Sequence, residues 1–284
     1  MNHLPKTIHS FLVCVLLWVP LVYGHEISVL QEQALTGEIS AQVELAEHYY
    51  EINDSIQALF WFSRAAEQGD ARSQYRVGDM YRKGEGIKQN YERAVYWYSS
   101  AAEGGDKDAQ YSLALMYENG IGVTPDLQKA VHWYREASEH GSMDAQFNLA
   151  LMYRNGTGVN PDNEKALYWY RKAAERGYAV AQSNLGVMYY NGDGVEQDYK
   201  QAAEWFLKAA GNGNLIAQYI LGTMYANAQG VSLEYIQSYK WLQISANAGN
   251  IDAENYLAYV EKEMTEAQIT QAKSLVDKWL QEHH

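Results

Sequence analysis

Histidines, paired glycines and one periodic glutamate are the residues of this chain whose types and spacing could do chemistry. The eight histidines are His3, His9, His25, His48, His132, His140, His283 and His284. His132 and His140 stand eight residues apart, not the four that put two imidazoles on one helix face around a metal, and they read as solvated surface. The single cysteine, Cys14, excludes a thiolate zinc site and a disulfide framework. Gly84/Gly86, Gly120/Gly122, Gly156/Gly158 and Gly192/Gly194 have the spacing of a phosphate cradle. No strand pattern precedes them and no third glycine or Lys-Ser/Thr follows, so they read as turns. Asn191-Gly192-Asp193 opens like a calcium loop, but Ala202 stands where the bidentate glutamate is required. Glu67, Glu103, Glu139 and Glu175 are spread along the chain and are not paired for acid–base work, so they read as solvated helix ends. With no His-Glu-x-x-His and no nucleophile elbow, the sequence predicts no catalytic residue, no metal and no cofactor.

The elements that carry these residues are set by a repeat of 36. Trp61, Trp97, Trp133, Trp169, Trp205 and Trp241 keep that spacing, as do Gly69, Gly105, Gly141, Gly177, Gly213 and Gly249. Gln74, Gln110, Gln146, Gln182 and Gln218 form a third column, and Tyr81, Tyr117, Tyr153, Tyr189 and Tyr225 a fourth. In the unit 107–142, Ala109, Leu113, Met116 and Tyr117 lie on one face of an α-helix. Gly120 and Gly122 cap and turn the chain, Asp126 caps a second helix, and Ala130, Trp133, Tyr134 and Ala137 form its apolar face. Small residues at Ala94, Ala130, Ala166 and Ala202 let paired helices approach. The tryptophan of each unit is expected to fill the gap to its neighbour, so that Trp133→Ala should cost about 3–5 kcal/mol.

The expected fold class is all-α, an α/α superhelical solenoid of six helix–turn–helix repeats at about 38–70, 71–106, 107–142, 143–178, 179–214 and 215–250. A capping helix is expected over 25–37, with Ile27, Leu30, Ala34 and Leu35 inward. Two capping helices are expected over 251–284, the second opened by a Thr265-x-x-Gln268 box with Ile269, Ala272, Leu275 and Trp279 inward. The first repeat is four residues short and lacks the Gly-x-Gly turn; the last full one has Ala228 where glycine is expected.

Ala181 to Tyr189, Asn191 to Val195 and Lys165 to Gly177 carry the pattern Ala-x-x-x-Leu-Gly-x-Met-Tyr, Asn-Gly-x-Gly-Val and Lys-Ala-x-x-Trp-Tyr-x-x-Ala-Ala-Glu-x-Gly. This resembles the Sel-1-like repeat, a relative of the tetratricopeptide repeat, over about residues 38–260. The resemblance implies a right-handed solenoid and an adaptor that binds proteins. Relatives of this kind include bacterial periplasmic proteins that restrain sensor kinases or cell-wall enzymes, and secreted ones that aid host-cell entry. Cysteine-rich members linked to β-lactam binding or hydrolysis suggest the alternative of a cell-wall or β-lactam-acting hydrolase. Those members use disulfides, which a mature chain without cysteine cannot form. A lumenal adaptor in eukaryotic quality control is a third reading.

The N-terminal 24 residues carry one charged side chain, Lys6, and every residue of the 13 from Phe11 to Tyr23 except Pro20 is strongly apolar. That length suits a secretory signal and falls short of a membrane span. Val22-Tyr23-Gly24 offers a cleavage site after Gly24, giving a periplasmic or secreted protein; an uncleaved anchor is the alternative. Lys and Arg number 22 against 35 Asp and Glu, a formal net charge of −13 that disfavours nucleic-acid backbones. A protein partner is therefore expected, with no membrane span in the mature chain. On the first-helix face opposite the packed one, residue types change from unit to unit. Tyr111, Leu115, Phe147, Leu151, Arg154, Val187, Tyr190 and Tyr219 are the candidate partner-binding residues on what should be a concave surface. The alternative is that Tyr111, Phe147 and Tyr219 pack sideways between adjacent first helices.

Overall fold

The computed structural model describes residues 27–283. The expected signal peptide, with Lys6, Cys14 and the cleavage site, lies outside them. The described chain is all-α, a series of solenoid hairpins with no strand among the described residues. A capping helix, α1, covers 27–35. The first helices of the six repeats are α2 (Ile39–Glu51), α4 (Ala71–Lys83), α6 (Lys107–Asn119), α8 (Met143–Asn155), α10 (Ala179–Asn191) and α12 (Leu215–Ala226). The second helices are α3 (Ser55–Glu67), α5 (Tyr91–Glu103), α7 (Leu127–Glu139), α9 (Asn163–Glu175), α11 (Tyr199–Gly211) and α13 (Tyr235–Asn247). Helices α14 (Ile251–Lys262) and α15 (Glu266–His283) close the chain, α15 packing on α13. Two compact units divide the chain after Trp133.

Local chemistry sets the helix ends. Asp70, Asp106, Ser142, Asn214 and Asn250 each accept the backbone N–H three residues on, as N-caps of α4, α6, α8, α12 and α14. The Thr265–Gln268 box closes reciprocally at the start of α15, with Thr265 N donating to Gln268 Oε1 at 2.8 Å. At the other ends of α4, α6, α8 and α10 a glycine turns left-handed, as Gly192 does at φ +81°. Gly86, Gly122 and Gly194 are fixed by a neighbour: a Cβ on Gly194 would stand 2.6 Å from the carbonyl carbon of Asn163, at the start of the preceding hairpin's second helix. Ala228, in the glycine position of the last repeat, is held at φ +52°.

The core column differs from the one expected. Trp61 and Trp241 are buried, but Trp97, Trp133, Trp169 and Trp205 are only half-buried, so the full cost assigned to Trp133→Ala does not apply. The fully buried column is the next residue along: Phe62, Tyr98, Tyr134, Tyr170, Phe206 and Leu242, each at most 1% exposed. For Tyr98, Phe206 and Leu242 a glycine of the paired first helix leaves the room. A Cβ on Gly186 would come within 2.9 Å of the Phe206 ring, and one on Gly78 within 2.8 Å of Tyr98. The tryptophans flank this seam and are edged by the residue before them, as Tyr96 edges Trp97 and Tyr168 edges Trp169. Ala94, Ala130, Ala166 and Ala202 are buried as expected.

The glutamine column joins one hairpin to the next. Gln42, Gln74, Gln110, Gln146, Gln182 and Gln218 each donate Nε2 to a carbonyl eight residues earlier, at 3.0–3.1 Å. The acceptors are Ala34, Ala66, Ala102, Ser138, Ala174 and Ala210, in the last turn of the preceding helix, and each also accepts the N–H of the glycine three residues on. At the ends of the chain two details depart from expectation. Leu35 is 75% exposed because only Ala34 of that pair faces α2, and Val276, not singled out from the sequence, is buried beside Ala272.

Phe206→Ala should lose about 3–5 kcal/mol in chemical denaturation, and Trp205→Ala no more than about half of that. Equal losses would return the indole to the centre of the core.

Candidate protein-interaction face

The candidate residues fall in two units. In residues 27–133 they are Tyr111 and Leu115, both half-buried on α6. The equivalent position one repeat earlier is Asp79, a carboxylate that is 9% exposed. Its Oδ1 accepts from Arg82 Nη2 at 2.6 Å and from the Tyr98 hydroxyl at 3.3 Å, and Lys83 Nζ lies 2.7 Å from Oδ2. Burial pushes the Asp79 carboxyl up, but hydrogen bonds from Lys83 and Arg82 outweigh it and hold the group below the ordinary carboxylate range. Burial, then the Asp79 charge, drives the Tyr98 hydroxyl well above its usual value, so it stays protonated as a donor. Tyr75 stacks on Tyr98 at 5.7 Å under the Arg72 guanidinium. The Asp79 cluster was visible in sequence only as an Asp followed by Arg and Lys at i+3 and i+4.

In residues 134–283 the structure places Phe147, Leu151 and Arg154 on α8, Val187 and Tyr190 on α10, and Tyr219 on α12. None is fully buried: Leu151 is 37% exposed and the other five are half-buried. Arg154 and Tyr190 also touch the repeat that follows, and Phe147 touches the N-cap residue of its first helix. Phe147 contacts the rings of Tyr170 and Tyr178, each at 5.7 Å. Arg154 donates to Asn184 Oδ1 at 3.2 Å and sits 3.7 Å from Asp193 Oδ2, so the aspartate of the abortive calcium loop serves an ion pair. Tyr190 donates to Gln229 Oε1 at 3.3 Å and edges Tyr199. Burial, then Asp252, raises the Tyr219 hydroxyl. The row is thus part packing and part open surface.

Behind Phe147 lies a residue not singled out for this face. Tyr170 is fully buried, and burial raises its hydroxyl against the opposing charge and hydrogen bonding of Arg154. The 36-residue spacing of aromatics one place after each tryptophan was its signal. The other chemical candidates do not converge. Glu67, Glu103, Glu139 and Glu175 end four second helices in solvent. His132 edges Trp133, and His283 stacks on Trp279. Among the described residues no group of three or more His, Cys, Asp or Glu is placed to hold a metal ion.

The Sel1 repeat model matches residues 39–70, 71–106, 107–142, 144–178, 179–214 and 215–250. The chain belongs to the Sel1 repeat family. A protective antigen present in uropathogenic Escherichia coli strains, with the same repeat fold, is similar at 34% identity and a TM-score of 0.76. That match covers 90% of this chain and 56% of the antigen, so the chain spans little more than half of that relative. A Sel1 repeat protein from Oxalobacter formigenes is similar at 31% identity and a TM-score of 0.73, over 85% of this chain and 98% of its own. No curated protein matches the chain. Sel1 repeat proteins generally mediate protein–protein interactions, and the scaffold is typically non-catalytic. No helix among the described residues is long and apolar enough to cross a membrane.

Because the Asp79 carboxyl is lowered on folding, its contribution to stability is present above the unfolded value of about 3.9 and is lost as pH falls through the folded one. Asp79→Asn should lower stability at pH 7 by about 1–3 kcal/mol, after discounting the exposed Arg82 and Lys83. Urea titrations should show that gap narrowing as pH is taken from 5 to 3; a constant gap would dissociate the effect from ionisation.

Proposed function

We propose that this Sel1 repeat protein is a non-enzymatic adaptor acting outside the cytoplasm, in cell-envelope regulation or host interaction. It holds a segment of a partner protein against the first-helix face of residues 134–283, through Phe147, Leu151, Arg154, Val187, Tyr190 and Tyr219. Tyr111 and Leu115 offer a corresponding face in residues 27–133. The observation that carries the reading is a contrast on one helix. Leu149 and Met152 of α8 are buried and repeat along the chain, whereas Leu151 between them is 37% exposed and becomes Asp79, Val187 or Thr223 elsewhere. Packing alone asks for neither the exposure nor the variation. Aromatic, aliphatic and arginine side chains presented together are the types that anchor partners. The location rests on the apolar run from Phe11 to Tyr23 and the acidic, thiol-free chain that follows it.

The test is cross-linked capture by the mature protein in cell-envelope extract, run beside Phe147→Ala and Leu151→Glu. A partner bound by wild type should be lost by at least tenfold in Leu151→Glu, with thermal unfolding unchanged because that side chain is outside the core. Equal capture by both proteins would move the interaction off this face.

A further inference from the structure

The same hollow occurs at two places in the chain, once near each end. Gln42, Trp61, Arg64, Glu67 and Gln68 line a cavity of 240 Å³. Gln218, Ile244, Asn247 and Ala248 hold the repeat positions of Gln42, Arg64, Glu67 and Gln68, and line a second cavity of 280 Å³. The two are finished differently. In the first, Gln68 Nε2 donates to Gln42 Oε1 at 2.8 Å, so both ends of the column glutamine are satisfied. Asn212 makes the equivalent bond to Gln182 Oε1 at 3.0 Å. At Gln146 the equivalent residue is Arg176, whose guanidinium crosses instead to the Gly141 carbonyl. At Gln218 it is Ala248, which has no donor to give. Gln218 is 0% exposed, its Nε2 is committed to Ala210, and its Oε1 has no partner. The charged wall of the first cavity is replaced by Leu215, Ile244, Trp279 and Leu280, the last two supplied by α15.

We infer that the cavity at Gln218 is a binding site for a neutral aromatic group of indole size that carries one N–H donor. The volume lies at the small end of ligand pockets, enough for one ring system. Its walls are apolar and none of its lining residues is a carboxylate, which disfavours an ammonium. A buried acceptor left unmet is costly, and a ring N–H placed in that wall meets it. The ring is either a free small aromatic or the tryptophan side chain of a bound peptide. The site is independent of the first-helix face.

The experiment is a titration of the full isotope-labelled protein, followed by amide and glutamine side-chain shifts, with indole, 1-methylindole and acetyl-Gly-Trp-Gly-amide. Indole should move Gln218 Nε2–H and the amides of 213–218 and 244–248, and bind at least about fivefold tighter than 1-methylindole, the equivalent of one neutral hydrogen bond. Ala248→Asn should abolish binding while holding or raising the thermal midpoint, because it supplies the donor that Asn212 gives Gln182. Leu151→Glu should bind indole as wild type does, which separates this site from the adaptor face. Tighter binding of the peptide assigns the site to a partner's tryptophan, and tighter binding of indole to a free small molecule. No shifts, equal affinity for indole and 1-methylindole, or unchanged binding by Ala248→Asn would overturn the assignment.

Discussion

The last-turn carbonyls of Ala66, Ala102, Ser138, Ala174 and Ala210 are each held twice, by the N–H of the glycine three residues on and by a glutamine of the next repeat. Each column glutamine reaches back eight residues to a carbonyl in the helix before it, in a buried setting where an unpaired group costs about 1–3 kcal/mol. The bond adds a tie between successive hairpins at a helix end that its own turn already closes. Gly86, Gly122 and Gly194 lie against the hairpin behind, and Tyr98 and Phe206 each meet a glycine across the pair.

The repeat length, the hairpins, the terminal helices and the capping residues were legible in the sequence because each is a local matter of period and hydrogen-bonding side chains. The inward column was not. Trp133 and Tyr134 are adjacent on one broad apolar face, and the period is the same for both, so pattern alone favours the larger ring for the centre. The deciding information stood on the partner helix: Gly78, Gly186 and Gly222 leave room for exactly one ring, or for Leu242, opposite. The glutamines were visible as a column and silent as to purpose, since spacing alone does not name the atom an amide will reach.

The proposed interaction face was legible as variation, and its mixed character was not. Phe147, Arg154 and Tyr190 spend part of their surface on neighbouring repeats, through Tyr178, Asn184 and Gln229. Such ties hold the side chains in place before any partner arrives, which reduces the ordering cost of binding. Asp79 takes this to its limit. There the outward position has been drawn into a charge cluster with Arg82, Lys83 and Tyr98, and that repeat presents a closed surface where α8 presents an open leucine.

The glycine that lies against Asn163 and the amide that reaches Ala174 both act only across one junction. Nothing in either contact depends on how many hairpins precede it. Gene duplication or loss in steps of 36 codons would preserve every junction, while the gain of a single codon inside a helix would misplace all the contacts of its hairpin. Length is accordingly the property of this architecture most open to evolutionary change, and the cheapest route to a larger or smaller reading surface.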